Sequence, residues 1–558
     1  MPGGGELTLV AYGSQNKAMS GNPEMTFFYK VFKRHTHFSQ ESISISMDGP
    51  NEMMLDTPIR IRAKIPRSAD LLTDLTFVCN IPDLYGLADP ATGGRVPAPR
   101  WIHMLGPNII SSVGIYVGGS KIQEFAGEWI AVRAQMDLPT DKYLKWRTMV
   151  GDVPELNEPE RGLYSQSGNY PYQKGSYPAV WKGCQEIQAP SIPTTEIRVP
   201  LPFWFSESIG KALPLVGLQL HEVEVQITLK TLRELYRVMD NATNIDGSTL
   251  NGAVQKEPVR YGRNLLIDPM LPTSFNPSVQ MISFDNLTLQ NTYTYSQPNN
   301  TDPLNVFYSA TTPVLQEGFI MNAHLEGNYI YLTEKEQLMF AERELHTLVH
   351  QVQTFTLPGV TTKTKLDLDV FGLIHRMIFF ARRSDAIDIR NDYLNLSNWK
   401  TPSQPPYWPI AESDPSYVPG QVNSGLAIPQ GYWNRDILQS ARLICAGNEL
   451  FEEKPAKYYE VQVPYMTTLG SGTAGLHPGI NPDDVMGPIY QIPFGLNGSD
   501  HDQPSGTLNT SRLREFQLEV TPWPLATDSP YSFDFTVYIE SLNMVRITNG
   551  MGGLAFAV

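Results

Sequence analysis

The stretch IISSVGIYVGGSKIQEF, residues 109–125, reads as two apolar strands around a two-residue turn. Gly118-Gly119 stands between IYV and KIQEF, and glycine at both central positions allows the positive φ that a tight hairpin demands. The same pattern returns as ILQSARLICAGNELFEE, residues 437–453. LTDLTFVCN (72–80) precedes the first copy as LIHRMIFFA (373–381) precedes the second. LHEVEVQITL (220–229) and LEGNYIYL (325–332) follow the first as LREFQLEVTP (513–522) and IESLNMVRI (539–547) follow the second. A fifth pair opens each series. Asn22-Pro23-Glu24 reads as an N-cap with proline at the first helical position, and TEKE (333–336) reads as a capping box. Asn22 and Thr333 are 311 positions apart, the offset that also pairs His35-Thr36 with His346-Thr347. Five pairs in one order imply a single antiparallel domain used twice, with a short helix before each copy.

Other segments read the same way. IRIRAKI (59–65), KLDLDVFG (365–372), YYEVQV (458–463) and FDFTVYI (533–539) alternate or run apolar and stop at turn-forming residues, as strands do. The 558 residues exceed what one core usually organises. With 45 Pro and 43 Gly against 18% charged residues, the chain favours short strands and many turns. The expected fold is all-β: two tandem eight-stranded jelly-roll sandwiches with short helices and long loops. An immunoglobulin-like sandwich or a barrel fits the strand pattern nearly as well, and the duplication selects the jelly roll. The expected division is an arm with a short helix over 1–36, a first sandwich over 37–332, a linker helix over 333–345 and a second sandwich over 346–558.

Composition excludes several function classes. A net charge of −15 argues against wrapping nucleic acid. Cys79, Cys184 and Cys445 are too few and too scattered for a disulfide framework or a four-cysteine zinc site. The opening residues lack a signal-peptide pattern, and no run approaches 18 apolar residues, so a soluble, reducing compartment is expected.

Catalytic and cofactor motifs fail on context. GSGTAG (470–475) matches a dinucleotide fingerprint, but Pro478 and Pro482 prevent the helix that should follow. His346 and His350 lack the glutamate a zincin needs after its first histidine, and on a strand they lie about 14 Å apart. His35-x-His37 has no cysteine or carboxylate cluster nearby and reads as partly buried, hydrogen-bonded histidines. No cofactor or metal is expected, and no enzyme activity. Asp367 and Asp369 read as the wet side of a half-buried strand. With the aromatic loops around Trp408, they also leave open a carbohydrate-binding or carbohydrate-active sandwich.

Lys30, Lys33 and Arg34 form the one sharp basic cluster near the start. They read either as the polar side of a short helix or as a grip on an anionic surface, where each charge contributes about 1 kcal/mol at a membrane.

Residues 9–43, LVAYGSQNKAMSGNPEMTFFYKVFKRHTHFSQESI, resemble the N-terminal signature of the major capsid proteins of nucleocytoplasmic large DNA viruses. LPLVGLQLHEVEVQI (213–227), NYIYLTEKEQLMFAERELHTLVHQVQ (328–353), PSGTLNTSRL (504–513) and NMVRITNGMGGLAF (543–556) are similar to that family's other landmarks. The likeness departs in the loops and at EKEQLMFAERE, where basic residues are thinner. The resemblance implies a structural capsid protein whose homotrimers are pseudo-hexameric capsomers tiling an icosahedral shell over an internal membrane. It implies partners in neighbouring capsomers and minor capsid proteins, no specific nucleic acid, and assembly in the host cytoplasm. It also implies that the arm with Lys30, Lys33 and Arg34 faces inward, while 237–313 and 400–434 form an outer tower.

Overall fold

Alternation builds the first sandwich. Along Val223–Leu229, Val223, Val225, Ile227 and Leu229 are buried while the residues between them are half-buried. A period of two places one face of a strand on a core. The same holds for Ile59–Lys64, whose Ile59, Ile61 and Ala63 are buried and whose intervening charged residues are exposed. Val225 pairs with Ala63 on one side and Ile115 on the other. The computed structural model describes residues 3–30, 32–54, 57–84, 87–88, 97–159, 162, 178, 180–181, 190–240, 261–262, 318–388, 391–398, 436–468, 486–513, 515–525 and 531–556.

Among the described residues, sixteen strands form the main paths of the two sandwiches, and the short strands Leu213–Pro214, Leu508–Asn509 and Met551–Leu554 pair beside them. The first comprises β1 (Ser39–Ser46), β2 (Ile59–Lys64), β3 (Leu71–Ile81), β4 (Ile110–Val117), β5 (Ser120–Ala126), β6 (Thr195–Pro200), β7 (Val223–Leu229) and β8 (His324–Tyr331). The second comprises β9 (Leu345–Val360), β10 (Thr364–Asp367), β11 (Leu373–Arg383), β12 (Leu438–Cys445), β13 (Asn448–Pro455), β14 (Tyr490–Pro493), β15 (Phe516–Pro522) and β16 (Phe533–Thr548). The first pair of sheets runs β1-β8-β3-β6 and β2-β7-β4-β5. The second pair runs β9-β16-β11-β14 and β10-β15-β12-β13, the same orders strand for strand. Neighbours along all four paths are antiparallel. This is a double jelly roll, and the expected duplication is present in the hydrogen-bond topology.

The matched hairpins confirm the pairing. Gly118 and Gly119 turn β4 into β5 with φ of 57° and 82°. Ala446 and Gly447 turn β12 into β13 with φ of 49° and 78°, so the second copy carries the left-handed turn on one non-glycine residue.

Helix α3 (Gly127–Asp137) follows β5 and leads to α4 (Thr140–Met149). Trp129, Ile130, Ala131, Val132, Ala134 and Met136 of α3 are all buried. A helix covered on every side shows no polar stripe, so its apolar period is invisible to sequence reading. Its start lies hard against the chain. A Cβ on Gly127 would stand 2.0 Å from the Pro107 carbonyl oxygen and 2.1 Å from that of Ile110.

The core of the first sandwich continues into the second. Ile378, Phe380, Tyr538 and Ile547 belong to its apolar cluster, whereas Met377, Phe379, Val537 and Ile539 belong to the second sandwich's own. Strand β11 is therefore buried on both faces, which explains why its sequence runs apolar without alternation.

Three local expectations are corrected. Residues 22–30 form no helix, and Asn22 has a φ of 53° rather than the extended backbone of an N-cap. Phe27 and Phe28, expected on one helical face, are 90% and 99% exposed. The arm's helices are instead α1 (Gly4–Val10) and α2 (Ser14–Ser20). YYEVQV is helical: a π-helical turn over Tyr458–Gln462 runs into Val463–Thr467. Tyr459 and Val463 are buried four residues apart, and the Tyr459 hydroxyl donates to the Ala441 carbonyl at 3.0 Å, so a helical period satisfies this segment. Thr333 does precede a helix, α5 (Glu334–Glu342), but its side chain makes no capping bond; only its carbonyl accepts from the Glu336 and Gln337 amides.

Candidate functional site: the seam between the sandwiches and the N-terminal arm

Helix α3 carries three charged side chains at the seam, two of which reach the second sandwich. Asp137 receives two parallel hydrogen bonds of 2.7 Å from Arg376 of β11. Arg376 is fully buried and its Nε donates to Glu540 of β16, with a second bond of 3.1 Å from Nη2. Burial alone would raise the Asp137 carboxyl, but Arg376 and then His501 outweigh it and hold the group well below the ordinary range. Glu128 accepts from Arg382 of β11 at 2.9 Å. Beside this pair the Trp129 and Tyr538 rings lie 5.0 Å apart. Arg133 donates to Glu207 at 2.8 Å and to the Pro202 carbonyl at 2.9 Å.

Two glutamines tie the strand edges reciprocally. Gln123 of β5 donates to the His350 carbonyl at 2.8 Å, and Gln351 of β9 donates to the Ile122 carbonyl at 3.0 Å.

Three histidines of the second sandwich gather against this seam. The His350 ring lies 4.6 Å from that of His501 and 5.8 Å from that of His375. Burial, followed by the neighbouring His501 and Lys211, holds the His350 imidazole well below its ordinary value. His501 Nε2 bonds Asp137 at 3.1 Å, and Lys211 donates to Glu207 at 2.8 Å and to the His501 carbonyl. A cleft of about 660 Å³ opens on the cluster, with Arg133, Asp137, Glu207 and His501 in its wall.

The N-terminal arm differs in kind. All its described residues before β1 are exposed, including Leu9, Tyr12, Met19, Phe27, Phe28 and Phe32. Large apolar side chains exposed together in one segment mark a candidate interaction surface.

Two family models match the chain. One, described as the major capsid protein N-terminus, matches residues 26–257, and the other, described as large eukaryotic DNA virus major capsid protein, matches 336–553. The chain belongs to the major capsid protein family of large eukaryotic DNA viruses. The chain is 25% identical over 566 residues to the major capsid protein of Phaeocystis pouchetii virus, covering 99% of each. It is 24% identical over 592 residues to probable capsid protein 4 of Acanthamoeba polyphaga mimivirus, again over 99% of each. Among solved structures, VP54 of the virus PBCV-1 matches with a TM-score of 0.58 at 18% identity, covering 96% of this chain and 100% of that one, which supports the fold. The protein is thus a structural component of the virion capsid and not an enzyme.

Within this capsid protein the residues singled out by sequence fall in different places. Lys30, Lys33 and Arg34 are exposed and form no ion pair among the described residues. His35 and His37 are exposed, not partly buried; His35 bonds only the neighbouring Thr36 carbonyl at 2.7 Å. Asp367 and Asp369 are exposed beside buried Leu368 and Val370, and Asp367 accepts from Gln517 at 2.6 Å. His346 and His350 both lie on β9, where His346 is exposed against Glu344 and His350 is buried in the seam. GSGTAG, Trp408, Cys184 and nearly all of the expected tower loops lie outside the described residues.

The seam itself went unread in the sequence, although it left a signal. Arg376 interrupts LIHRMIFFA and Glu540 interrupts TVYIESL, and a charge inside an apolar strand requires a buried partner.

Proposed function

We propose that three copies of this chain associate as a pseudo-hexameric capsomer, and that capsomers tile an icosahedral shell over an internal membrane. The observation that carries this reading is the pair of identical sheet orders clamped side by side by a buried ionic seam. Three chains then offer six near-equivalent sandwiches, which suits sixfold packing around a threefold oligomer. In this reading residues 1–36 are the arm, 37–332 and 346–558 the sandwiches, and 333–345 their link. Ion pairs at the seam fix the angle between the sandwiches more than they add stability.

The arm faces inward, where its exposed aromatic residues meet neighbouring capsomers, minor capsid proteins or the membrane, with Lys30, Lys33 and Arg34 toward anionic headgroups. Three charges bind weakly alone, and repetition over a shell multiplies them. A net charge of −15 supports a shell that makes no specific nucleic-acid contact. Assembly takes place in the host cytoplasm. Electron micrographs of assembled material test the reading: sixfold morphological units over a bilayer support it, and units of another symmetry contradict it.

A further inference from the structure

The seam holds a constellation that shell building does not require. Glu207, His350 and His501 each present one ligand atom within 4.8 Å of the others. Glu207 Oε2 and His350 Nδ1 are 3.8 Å apart. Neither His350 Nδ1 nor His501 Nδ1, both buried, has a hydrogen-bond partner among the described residues. A buried ring nitrogen left without a partner is unfavourable, so two in one cluster call for a shared partner. Ligand atoms around a tetrahedral zinc are roughly 3.3 Å apart, and small side-chain rotations reach that spacing from the one observed.

We propose that Glu207, His350 and His501 form a divalent transition-metal site, suited to zinc, that joins the two sandwiches across their seam. The donor set is two imidazole nitrogens and one carboxylate, which fits zinc and disfavours the all-oxygen coordination of calcium or magnesium. Asp137 engages His501 Nε2 at 3.1 Å, which fixes the tautomer whose Nδ1 carries the free lone pair. The adjoining cleft of about 660 Å³ provides access and room for a water as the fourth ligand. Lys211 competes for the site, since its ammonium sits 2.8 Å from Glu207 Oε2. Asp502, 3.6 Å from the same ammonium, offers it a second carboxylate on displacement.

The test uses the full-length chain, stripped with a chelator and titrated with cobalt(II) as a spectroscopic substitute for zinc. The expected result is one equivalent per chain with the visible absorption of a tetrahedral ion. His350→Asn and His501→Asn weaken binding about 100-fold or more, Lys211→Gln tightens it, and the exposed same-strand variant His346→Ala leaves it unchanged. Absence of a stoichiometric site in the folded wild type overturns the proposal, as does equal affinity in wild type and the His350 and His501 variants. Should those two variants fail to fold, Lys211→Gln decides: tighter binding supports the site, and unchanged binding contradicts it.

Discussion

Arg376 and Asp137 face each other across the seam through two parallel bonds of 2.7 Å, one residue from each sandwich. Because Arg376 also serves Glu540, removing it strands the buried Glu540 carboxylate and takes the paired donor from Asp137, which keeps Arg133, Ser499 and His501. Arg376→Met is expected to lower unfolding free energy by about 3–5 kcal/mol, the usual cost of breaking a buried pair from one side. Urea denaturation measures this, and a loss below about 1 kcal/mol would show that the seam is not under this control.

Acid should weaken the protein through specific carboxylates. Asp152 is buried and accepts from Arg147 at 2.7 Å and Asn157 at 2.8 Å. Burial alone would raise it, but Arg147 and His103 outweigh that and hold it well below the ordinary range. Burial likewise opposes Arg382 and Lys230 at Glu128, which stays lowered. A lowered carboxyl contributes stability that is fully present above its unfolded value of about 4 and is lost as pH falls toward the folded one. Unfolding free energy should therefore drop steadily below about pH 4, and Asp152→Asn should be less stable at neutral pH with a flatter acid limb. A parallel acid limb in the variant would contradict this assignment.

These two cases show what the sequence could and could not disclose. The duplicated hairpins, the alternation of β2 and β7 and the turn at Gly118-Gly119 were all legible, because each is local and periodic. The seam was not: Asp137, Glu207, His350, Arg376 and His501 are far apart in the chain and meet only when two sandwiches dock. Helix α3 escaped notice because burial on all sides erases amphipathic period, and YYEVQV misled because its buried pair is spaced for a helix as well as for a strand face.

Val225 is fully buried between Ala63 and Ile115. Val225→Asp places an unpaired carboxylate in the first core and should destabilise that sandwich by roughly 3–5 kcal/mol. Thermal unfolding unchanged from wild type would refute the register of β7.

Gly127 starts α3 where the Pro107 and Ile110 carbonyls leave no room for a Cβ. Gly127→Ala should cost roughly 1–3 kcal/mol through displacement of the helix that carries the seam charges. The matching readout is the midpoint of chemical unfolding, with no shift counting against the close approach.

In the proposed capsomer, trimerisation of chains with two like sandwiches each gives six lattice contacts. Light scattering on the purified protein across micromolar concentrations, with negative-stain images of the same sample, reads that step directly. Three chain masses in a particle of six similar lobes is the expected result; a monomer throughout the range, or an outline with three lobes, would contradict it.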